Sequence, residues 1–231
     1  MYRGARVLGV VPGRGGSKGV PRKNIRPLAG EPLITYTLRT AAQVAELDRL
    51  VVSTEDEEIA SVAQNFGVEV VRRPMALAAD SSRTEEALLH ALDAMEERGE
   101  RFDVVLVLEP TSPFRSAATI KSAIVTCVDG PSPSVLAVRE TRENIGHVTE
   151  GVFRPLAPGA PRRRQDRQPF YVESSTIYAC RVDYLRRTGT LVADDWGAMV
   201  VPEAEVADIN TEDDFLFVEF MMRKRRLAQN V

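Results

Sequence analysis

The sequence predicts an α/β protein in which helices cover both faces of a mostly parallel sheet. Two observations support this prediction. Short apolar runs typical of buried strands alternate with segments of helical periodicity over residues 7–138. Most of these runs are apolar throughout, which is the pattern of strands buried on both faces of a parallel sheet.

Each element follows from these patterns in chain order. Strands are predicted at 7–11, 49–53, 68–71, 103–108, 134–138, 170–179 and 199–202. Helices are predicted at 33–44, 54–66, 84–98, 119–128, 183–187 and 211–227. Gly67 and Gly99 are expected to end the second and third helices. Thr54 and Thr211 are expected to cap the helices that follow them, because each has an acidic residue three positions later.

Length and composition narrow the class of protein. A chain of 231 residues, 44% hydrophobic and 27% charged, is typical of a single globular domain, which we expect to span 1–231. The net charge of −3 and the lack of a long apolar run favour neither nucleic-acid nor membrane partners. Cys127 and Cys180 lie in apolar surroundings, which indicates core thiols in a reducing, cytoplasmic compartment. With two histidines, a His-rich metal site is excluded.

The loop between the first strand and the first helix carries the clearest chemical signal. Glycines and cations are interspersed there, namely Gly13, Arg14, Gly15, Gly16, Lys18, Gly19, Arg22, Lys23 and Arg26. Glycine lets backbone N–H groups turn toward an anion, and lysine and arginine supply charge, so the loop suits a polyphosphate. Its order fits neither a Walker A loop nor a dinucleotide fingerprint. The alternative is an ordinary surface loop with solvated charges.

This loop also resembles a known family. From Pro12 to Leu33 the order P-x-R-G-G-S-K-G-x-P-x-K-N-I-x-P-L-x-G-x-P-L is similar to the opening motif of the acylneuraminate cytidylyltransferases, which make CMP-activated sugar acids from CTP. Further motifs of that family follow in order along nearly the whole chain. The resemblance implies a three-layer α/β/α nucleotidyltransferase fold. It also implies an enzyme that transfers CMP from CTP to an acidic acceptor and releases pyrophosphate.

By this resemblance, two segments bind the nucleotide. The loop would contact the triphosphate through Arg14, Gly15, Gly16, Ser17, Lys18, Lys23 and Asn24. Arg14 and Lys23 are also the expected catalytic cations. The segment from Arg73 to Asp80 resembles R-P-x-x-L-A-x-D, which borders the cytosine and the ribose in the family. For Arg73, the alternative is a solvated arginine at the end of a strand.

Two more segments are expected to bind the acceptor. The sequence LEPTSPFR, which begins at Leu108, is similar to L-Q-P-T-S-P-L-R, but Glu109 stands where glutamine is usual. Tyr178 ends SSTIY where the family has N-G-A-I-Y. Both departures point to a changed acceptor. The alternative for the Glu109 segment is a strand-to-helix turn shaped by its two prolines.

The alternation of strands and helices breaks over 140–168, which is polar and rich in Gly, Pro and Arg. Such long irregular segments are usually functional or belong to an interface. Arg164 and Gln165 resemble the start of the family's R-Q-D-x-P-x-x-Y, by which Arg164 would clamp the acceptor carboxylate. The resemblance implies a homodimer in which this extension reaches the partner's site. The alternative for Arg164 is membership of a solvated arginine cluster.

The segment before the last helix is the expected metal site. Asp208 and Asn210 stand where the family has D-I-D-T, whose aspartates help hold Mg²⁺. Alternation along an extended segment puts both side chains on one side. Asp208 is therefore an expected catalytic residue and metal ligand, and Asn210 an expected second ligand. The alternative for Asn210 is a role only in capping the helix.

Two other functions stay open from the sequence. One keeps the reaction but uses a phosphonate or another non-sialic acid as acceptor, which Glu109 motivates. The other is a nucleotide-binding paralogue without catalysis, which the replacement of an aspartate by Asn210 motivates. Release of pyrophosphate from CTP distinguishes an enzyme from a binding protein.

Overall fold

The computed structural model describes residues 1–229, and residues 230–231 of the expected single domain lie outside this range. The strands are β1 (Val7–Pro12), β2 (Pro27–Leu28), β3 (Glu31–Pro32), β4 (Arg49–Thr54), β5 (Glu69–Arg72), β6 (Val104–Val107), β7 (Ser134–Thr141), β8 (Gly146–Thr149), β9 (Val152–Pro155), β10 (Phe170–Arg181) and β11 (Gly197–Val200). The helices are α1 (Leu33–Ala41), α2 (Glu57–Asn65), α3 (Thr84–Glu96), α4 (Ala117–Asp129), α5 (Val182–Thr188) and α6 (Glu212–Gln229). Within the described chain, no helix combines the length and apolarity needed to cross a bilayer.

A 7-stranded sheet with the order β11-β7-β10-β6-β1-β4-β5 forms the centre of the fold. The pairs β1–β4, β1–β6, β4–β5 and β7–β11 are parallel. β10 runs antiparallel between β6 and β7. The expected mostly parallel sheet is confirmed. The sequence did not predict that β10 is antiparallel, because an apolar run looks the same in a parallel and in an antiparallel strand.

Alternate residues of β1 face two different helical layers. Val7 and Val11 are buried in a cluster with residues of α1, α2 and α4. Leu8 and Val10 are buried in a second cluster with residues of α3 and α5. A strand covered on both faces needs apolar side chains at successive positions, which explains the continuous run. The three-layer α/β/α architecture is confirmed.

The start of α2 differs from the expected start. Thr54 is the last residue of β4, and Asp56 is the N-cap. The Asp56 carboxylate accepts hydrogen bonds of 3.0 Å from the backbone N–H groups of Glu58 and Ile59. Thr54 instead accepts a hydrogen bond from the Asp56 backbone. The prediction of a Thr54 cap was wrong because pairing with Arg72 of β5 extends β4 through that residue.

A third apolar cluster joins α6 to the first loop. It contains Val20, Leu28, Leu33, Ile209, Phe215, Val218 and Met222. Arg26 adds a bidentate ion pair with Glu212, with both N–O distances at 2.6 Å. The C-terminal segment is therefore packed directly against the glycine-rich loop.

The extension 140–168 is more regular than expected. β8 and β9 pair as an antiparallel hairpin across a turn at Glu150 and Gly151, whose φ angles are 54° and 77°. Positive φ at both central residues matches the tight turn that suits hairpin twist. Each of these strands has four residues and is too short for a sustained alternation of apolar and polar residues, so the sequence did not predict this hairpin.

Candidate active site

Parallel strands β1, β4, β5 and β6 end at one edge of the sheet, and polar residues follow there. Glu55 follows β4, Arg73 follows β5 and Glu109 lies just beyond β6. Arg73 and Glu109 line a cavity of about 640 Å³ together with the loop after β1 and the segment before α6. This edge is where α/β sheets generally bind ligands.

Most of the expected site residues line this cavity. They are Arg14, Ser17, Lys18, Lys23, Asn24, Arg73, Asp80, Glu109, Tyr178, Asp208 and Asn210. The expected residues that do not line it are Gly15, Gly16, Arg164 and Gln165. The cavity thus brings together expected site residues from five separate segments of the chain, namely 14–24, 73–80, 109, 178 and 208–210.

Two acidic residues after β4 hold the glycine-rich loop in place. The backbone N–H of Gly15 donates to the Glu55 carboxylate at 2.7 Å, so this N–H does not face the cavity. The Arg22 guanidinium donates to both Asp56 oxygens at 2.5 and 3.0 Å. This bidentate contact holds the pKa of Asp56 below its usual range. These two carboxylates therefore hold the loop in addition to the hydrogen bonds of its own turns.

Arg14 and Lys18 converge on a single carboxylate. Asp80 accepts from Arg14 at 2.7 Å and from Lys18 at 2.6 Å. These two cations, Lys18 first, lower the pKa of Asp80. One oxygen anion thus bridges both cations. The same spacing suits a phosphate group, which is also an oxygen anion.

Lys23 connects the loop to the C-terminal segment. Its ammonium group donates to the carbonyl oxygen of Ile209 at 2.6 Å. Burial lowers the pKa of Lys23, while the negative charges of Asp208 and Glu109 oppose that shift. Asn24 supports the loop by donating to the Arg14 carbonyl at 3.0 Å.

Gly19 makes the closest backbone approach in the site. A Cβ atom at Gly19 would lie 2.0 Å from the carbonyl oxygen of Asn210. Any side chain would therefore push the loop away from the segment that carries Asp208. Glycine is required here by space, since its φ lies outside the left-handed region.

Asp208 and Asn210 lie side by side at the cavity. The Asn210 amide donates to the Asp208 carboxylate at 2.8 Å. Thr211 caps α6, because its hydroxyl accepts from the Asp214 N–H and its own N–H donates to the Asp214 carboxylate. The alternative in which Asn210 serves only as the cap was therefore wrong. The expected pairing of Thr211 with an acid three residues later is confirmed.

Arg73 is buried rather than solvated. Its side chain is 5% exposed and pairs with Glu55, whose side chain is 8% exposed. The Arg73 Nε donates to Glu55 at 3.0 Å. Arg72 instead lies at the surface and pairs with Glu57. The solvated alternative thus describes Arg72 and not Arg73.

Glu109 is held by its backbone while its carboxylate lines the cavity. The buried Arg115 donates to the Glu109 carbonyl and, at 2.7 Å, to the Thr176 carbonyl. Burial raises the pKa of Glu109 to about 7, with Asp208 adding to the shift and Arg115 opposing it. The segment is a turn, as the alternative held, and it also presents an ionisable group to the cavity.

Arg164 and Gln165 lie on a different surface of the same chain. They line a second cavity, of about 1010 Å³, together with Phe217 of α6. Arg164 is exposed and pairs with Glu143 at 3.2 Å. The β7–β10 ribbon continues beyond the register with β6 and carries the extension outward. Arg164 and Gln165 therefore do not line the cavity of the other expected site residues, and their contact with the acceptor stays a prediction.

Several residues in or beside the site were not predicted from the sequence. Glu55 and Asp56 hold the loop from outside the cavity. They follow β4, so the rule that ligands bind beyond the carboxyl ends of strands could have identified them. Glu173 and Trp196 line the cavity itself. Glu173 is placed by an irregularity in β10 between Ser174 and Tyr178, which no sequence motif signals.

Comparison with known proteins identifies the family of this chain. The family model described as cytidylyltransferase matches residues 8–193. The chain is similar to the CMP-N,N'-diacetyllegionaminic acid synthase of Campylobacter jejuni, at 30% identity over 97% of this chain and 98% of the relative. It is also similar to the post-translational flagellin modification protein B of Campylobacter coli, at 29% identity over 96% and 97% of the two chains.

A solved structure supports the architecture. A CMP:2-keto-3-deoxy-manno-octonic acid synthetase, solved in complex with CTP, superimposes with a TM-score of 0.70 over 96% of this chain and all of the other. The sequence identity is 18%, so this likeness shows the fold. With the family match over residues 8–193 and the full-length relative at 30% identity, this chain belongs to the cytidylyltransferase family.

Proposed function

We propose that the chain transfers CMP from CTP to a hydroxyl of an acidic acceptor, a sialic-acid-like 2-keto-3-deoxy sugar acid, and releases pyrophosphate. The observation that carries this proposal is the convergence of Arg14, Lys18 and Lys23 with Asp208 at one cavity. Cations from the loop would neutralise the triphosphate. The other wall, with Glu109 and Tyr178, is left for the acceptor.

In this proposal the protein acts by positioning and charge. The acceptor hydroxyl attacks the α-phosphorus in line, and the pyrophosphate leaves toward the loop cations. The ion pairs of Arg22 with Asp56 and of Arg73 with Glu55 fix the loop before the nucleotide binds. A preorganised site loses little free energy to reorganisation at the moment of reaction.

We propose Mg²⁺ as the cofactor, held by Asp208 with Asn210 beside it. In the described chain no group of three His, Cys, Asp or Glu side chains is arranged to hold a metal. Magnesium often takes one or two carboxylates and completes its coordination with substrate phosphates and water, so the donor set at Asp208 fits. Bound there, Mg²⁺ would neutralise charge on the triphosphate.

We also propose that the chain works as a homodimer in which the extension 140–168 completes the partner's site. The hairpin exposes Val148 at 71%, Val152 at 53% and Phe153 at 48%, which is apolar surface suited to burial in an interface. Arg164 lines the second cavity and not the first, which favours a role across the interface. In this proposal residues 1–231 form one catalytic domain, and its cytoplasmic location stays a prediction.

The experiment is a pyrophosphate-release assay with Mg²⁺, each nucleoside triphosphate, and a panel of sugar acids and phosphonates. We expect turnover with CTP and a sugar acid. Turnover with a phosphonate but with no sugar acid would show that the reaction is as proposed and that the acceptor is a phosphonate. Binding of CTP without turnover on any acceptor would favour the non-catalytic paralogue. Equal binding of ATP, GTP or UTP in calorimetry would contradict the proposed CTP specificity.

A further inference from the structure

One wall of the cavity is formed by groups that accept hydrogen bonds. We call this wall the acceptor wall and define it as Glu109, Glu173, Ser175 and Tyr178, all of which line the cavity. Glu109 lies beyond the end of β6, and the other three residues lie on β10, which pairs with β6. Glu109 and Glu173 both act on the Tyr178 hydroxyl, whose pKa is raised by burial first and by these carboxylates next. The two carboxylates are therefore close to one tyrosine.

The hydrogen atoms on the acceptor wall are already used. Tyr178 donates its hydroxyl hydrogen to Glu173 at 2.7 Å and keeps only lone pairs for a ligand. The Glu109 carbonyl accepts from Arg115 and Thr37, but no donor within residues 1–229 hydrogen-bonds its carboxylate. The Ser175 hydroxyl interacts with the Tyr178 oxygen as a donor, which lowers the pKa of Tyr178 and opposes the effect of burial. A ligand group on this wall must therefore supply donors.

Within residues 1–229 no cation makes a direct ion pair with the Glu109 carboxylate, although the charges of Arg115, Lys23 and Arg73 oppose the rise in its pKa. Arg14 and Lys18 face Asp80, and Lys23 donates to the Ile209 carbonyl. Arg115 donates to the backbone carbonyls of Glu109 and Thr176 and not to the Glu109 carboxylate. Its remaining terminal nitrogen, Nη1, is buried without an acceptor. A cation from the ligand would balance the charge and satisfy the carboxylate lone pairs together.

We propose that the acceptor is a sugar acid that carries a free amino group, and that Glu109, with Glu173 and Tyr178, selects this group over its acylated form. This inference rests on the proposed cytidylyl transfer and names its substrate class. An ammonium group offers three donors and a positive charge. An acylamino group offers one N–H, and its carbonyl oxygen would face carboxylate lone pairs.

Glutamine at position 109 would make the opposite selection. A glutamine amide both donates and accepts, so it suits an acylamino group. A carboxylate accepts only, and its charge favours a cation. The residue that departs from the family motif is thus the residue that favours a different substituent.

The test uses pairs of 2-keto-3-deoxy sugar acids that differ only in whether one amino group is free or acetylated, taken at each amino position in turn. Pyrophosphate release gives kcat/KM for both members with saturating CTP. For one position the wild type should prefer the free amine by at least about tenfold, the effect of one charged hydrogen bond. Glu109→Gln should abolish or reverse this preference while KM for CTP stays unchanged.

Controls separate selection from folding and from net charge. Glu97→Gln removes an exposed carboxyl at the end of α3 and should keep the wild-type preference. If Glu109→Gln does not fold, Glu173→Gln, at an exposed position, should weaken the preference in the same direction. A wild type that uses the acetylated acids as well or better overturns this inference and leaves the proposed function standing. A Glu109→Gln variant with the wild-type ratio also overturns it, whereas no pyrophosphate with any sugar acid refutes the proposed function itself.

Discussion

The Lys23 ammonium group donates a hydrogen bond of 2.6 Å to the carbonyl oxygen of Ile209. This bond joins the glycine-rich loop to the segment that carries Asp208 and Asn210. Gly19 approaches the same segment so closely that a Cβ would clash with the Asn210 carbonyl. The proposed phosphate-binding and metal-binding parts of the site therefore form one connected unit.

Lys23→Ala should slow turnover by at least about tenfold. A charged hydrogen bond to phosphate contributes roughly 1.5–3 kcal/mol, and each 1.36 kcal/mol is about a factor of ten in rate. The measurement is kcat and kcat/KM from pyrophosphate release. Lys224→Ala removes an exposed lysine of α6 and serves as the control. A folded Lys23→Ala protein with the wild-type rate would show that Lys23 is not part of the site.

Gly19→Ala should weaken the contact between the loop and the segment before α6. Because the added methyl group would meet the Asn210 carbonyl at 2.0 Å, the loop must shift. We expect a loss of about 1–3 kcal/mol in the free energy of unfolding, as for other overpacked sites, and a higher KM for CTP. Gly16→Ala is matched for the stability measurement, since a methyl group there meets open space. Equal urea denaturation midpoints for the two variants would contradict the close approach.

Asp208→Ala should abolish turnover and leave the fold intact. Asn210→Asp should lower the Mg²⁺ concentration that gives the half-maximal rate, because a second carboxylate strengthens an oxygen-ligand site. It also places two carboxylates side by side, where Asn210 now donates to Asp208. The thermal midpoint of Asn210→Asp should therefore rise more on addition of Mg²⁺ than that of the wild type. Activity of Asp208→Ala, or identical Mg²⁺ responses, would place the metal elsewhere.

Arg164→Ala and Asp208→Ala should complement each other if Arg164 acts across a dimer interface. Each variant alone should be inactive, since every site lacks one group. In a mixed dimer, the site with an intact Asp208 receives an intact Arg164 from the other subunit, so activity should return after the subunits are mixed and re-equilibrated. Arg163→Ala, next to Arg164 in the same arginine cluster, is the control for lost charge. If light scattering shows a monomer and the protein is fully active under the same conditions, the proposed dimer is wrong. If the mixed variants form dimers but regain no activity, the proposed shared site is wrong.

The stability of the loop should depend on pH through Asp56. The Arg22 contact holds the folded-state pKa of Asp56 below its usual range. Its stabilisation is therefore present above the unfolded-state pKa of about 3.9 and is lost as the pH falls through the lower folded-state value. Asp56→Asn keeps a good N-cap but removes the charge. It should lower the free energy of unfolding near neutral pH and make that free energy fall less steeply below about pH 4.

Urea denaturation across this pH range provides the measurement. Asp194→Asn, which neutralises an exposed carboxyl, is the matched control and should follow the wild-type curve. Parallel curves for Asp56→Asn and the wild type would show that the ion pair with Arg22 adds no pH-dependent stability.

Local pattern alone located most of the fold. The apolar run in β1, its equivalents in β4 and β6, and the capping pair at Thr211 depend on interactions with near neighbours or on burial of every side chain. Such features can therefore be predicted from the order of residues. The glycine-rich loop is also local, so its composition indicated a polyphosphate before any partner was known.

The tertiary structure decided features that depend on contacts between distant residues. Pairing with β6 and β7 makes β10 antiparallel, and an irregularity in that pairing lies next to Glu173, which lines the cavity. Projection of the β7–β10 ribbon carries Arg164 away from the site of its own chain, although its motif resembles an acceptor clamp. The partners of the loop, Glu55 and Asp56, come from the end of another strand.

The sequence by itself determined the order of strands and helices, the cationic loop and the identity of each titratable group. Only the tertiary structure decided which of those groups share a cavity and which hydrogen bonds they have left. Glu109 illustrates the division. The sequence supplies a carboxylate in place of an amide, but its meaning depends on the arrangement of Arg115, Tyr178 and Glu173 around it. Hydrogen bonding and desolvation depend on distances in space, and chain order does not record them.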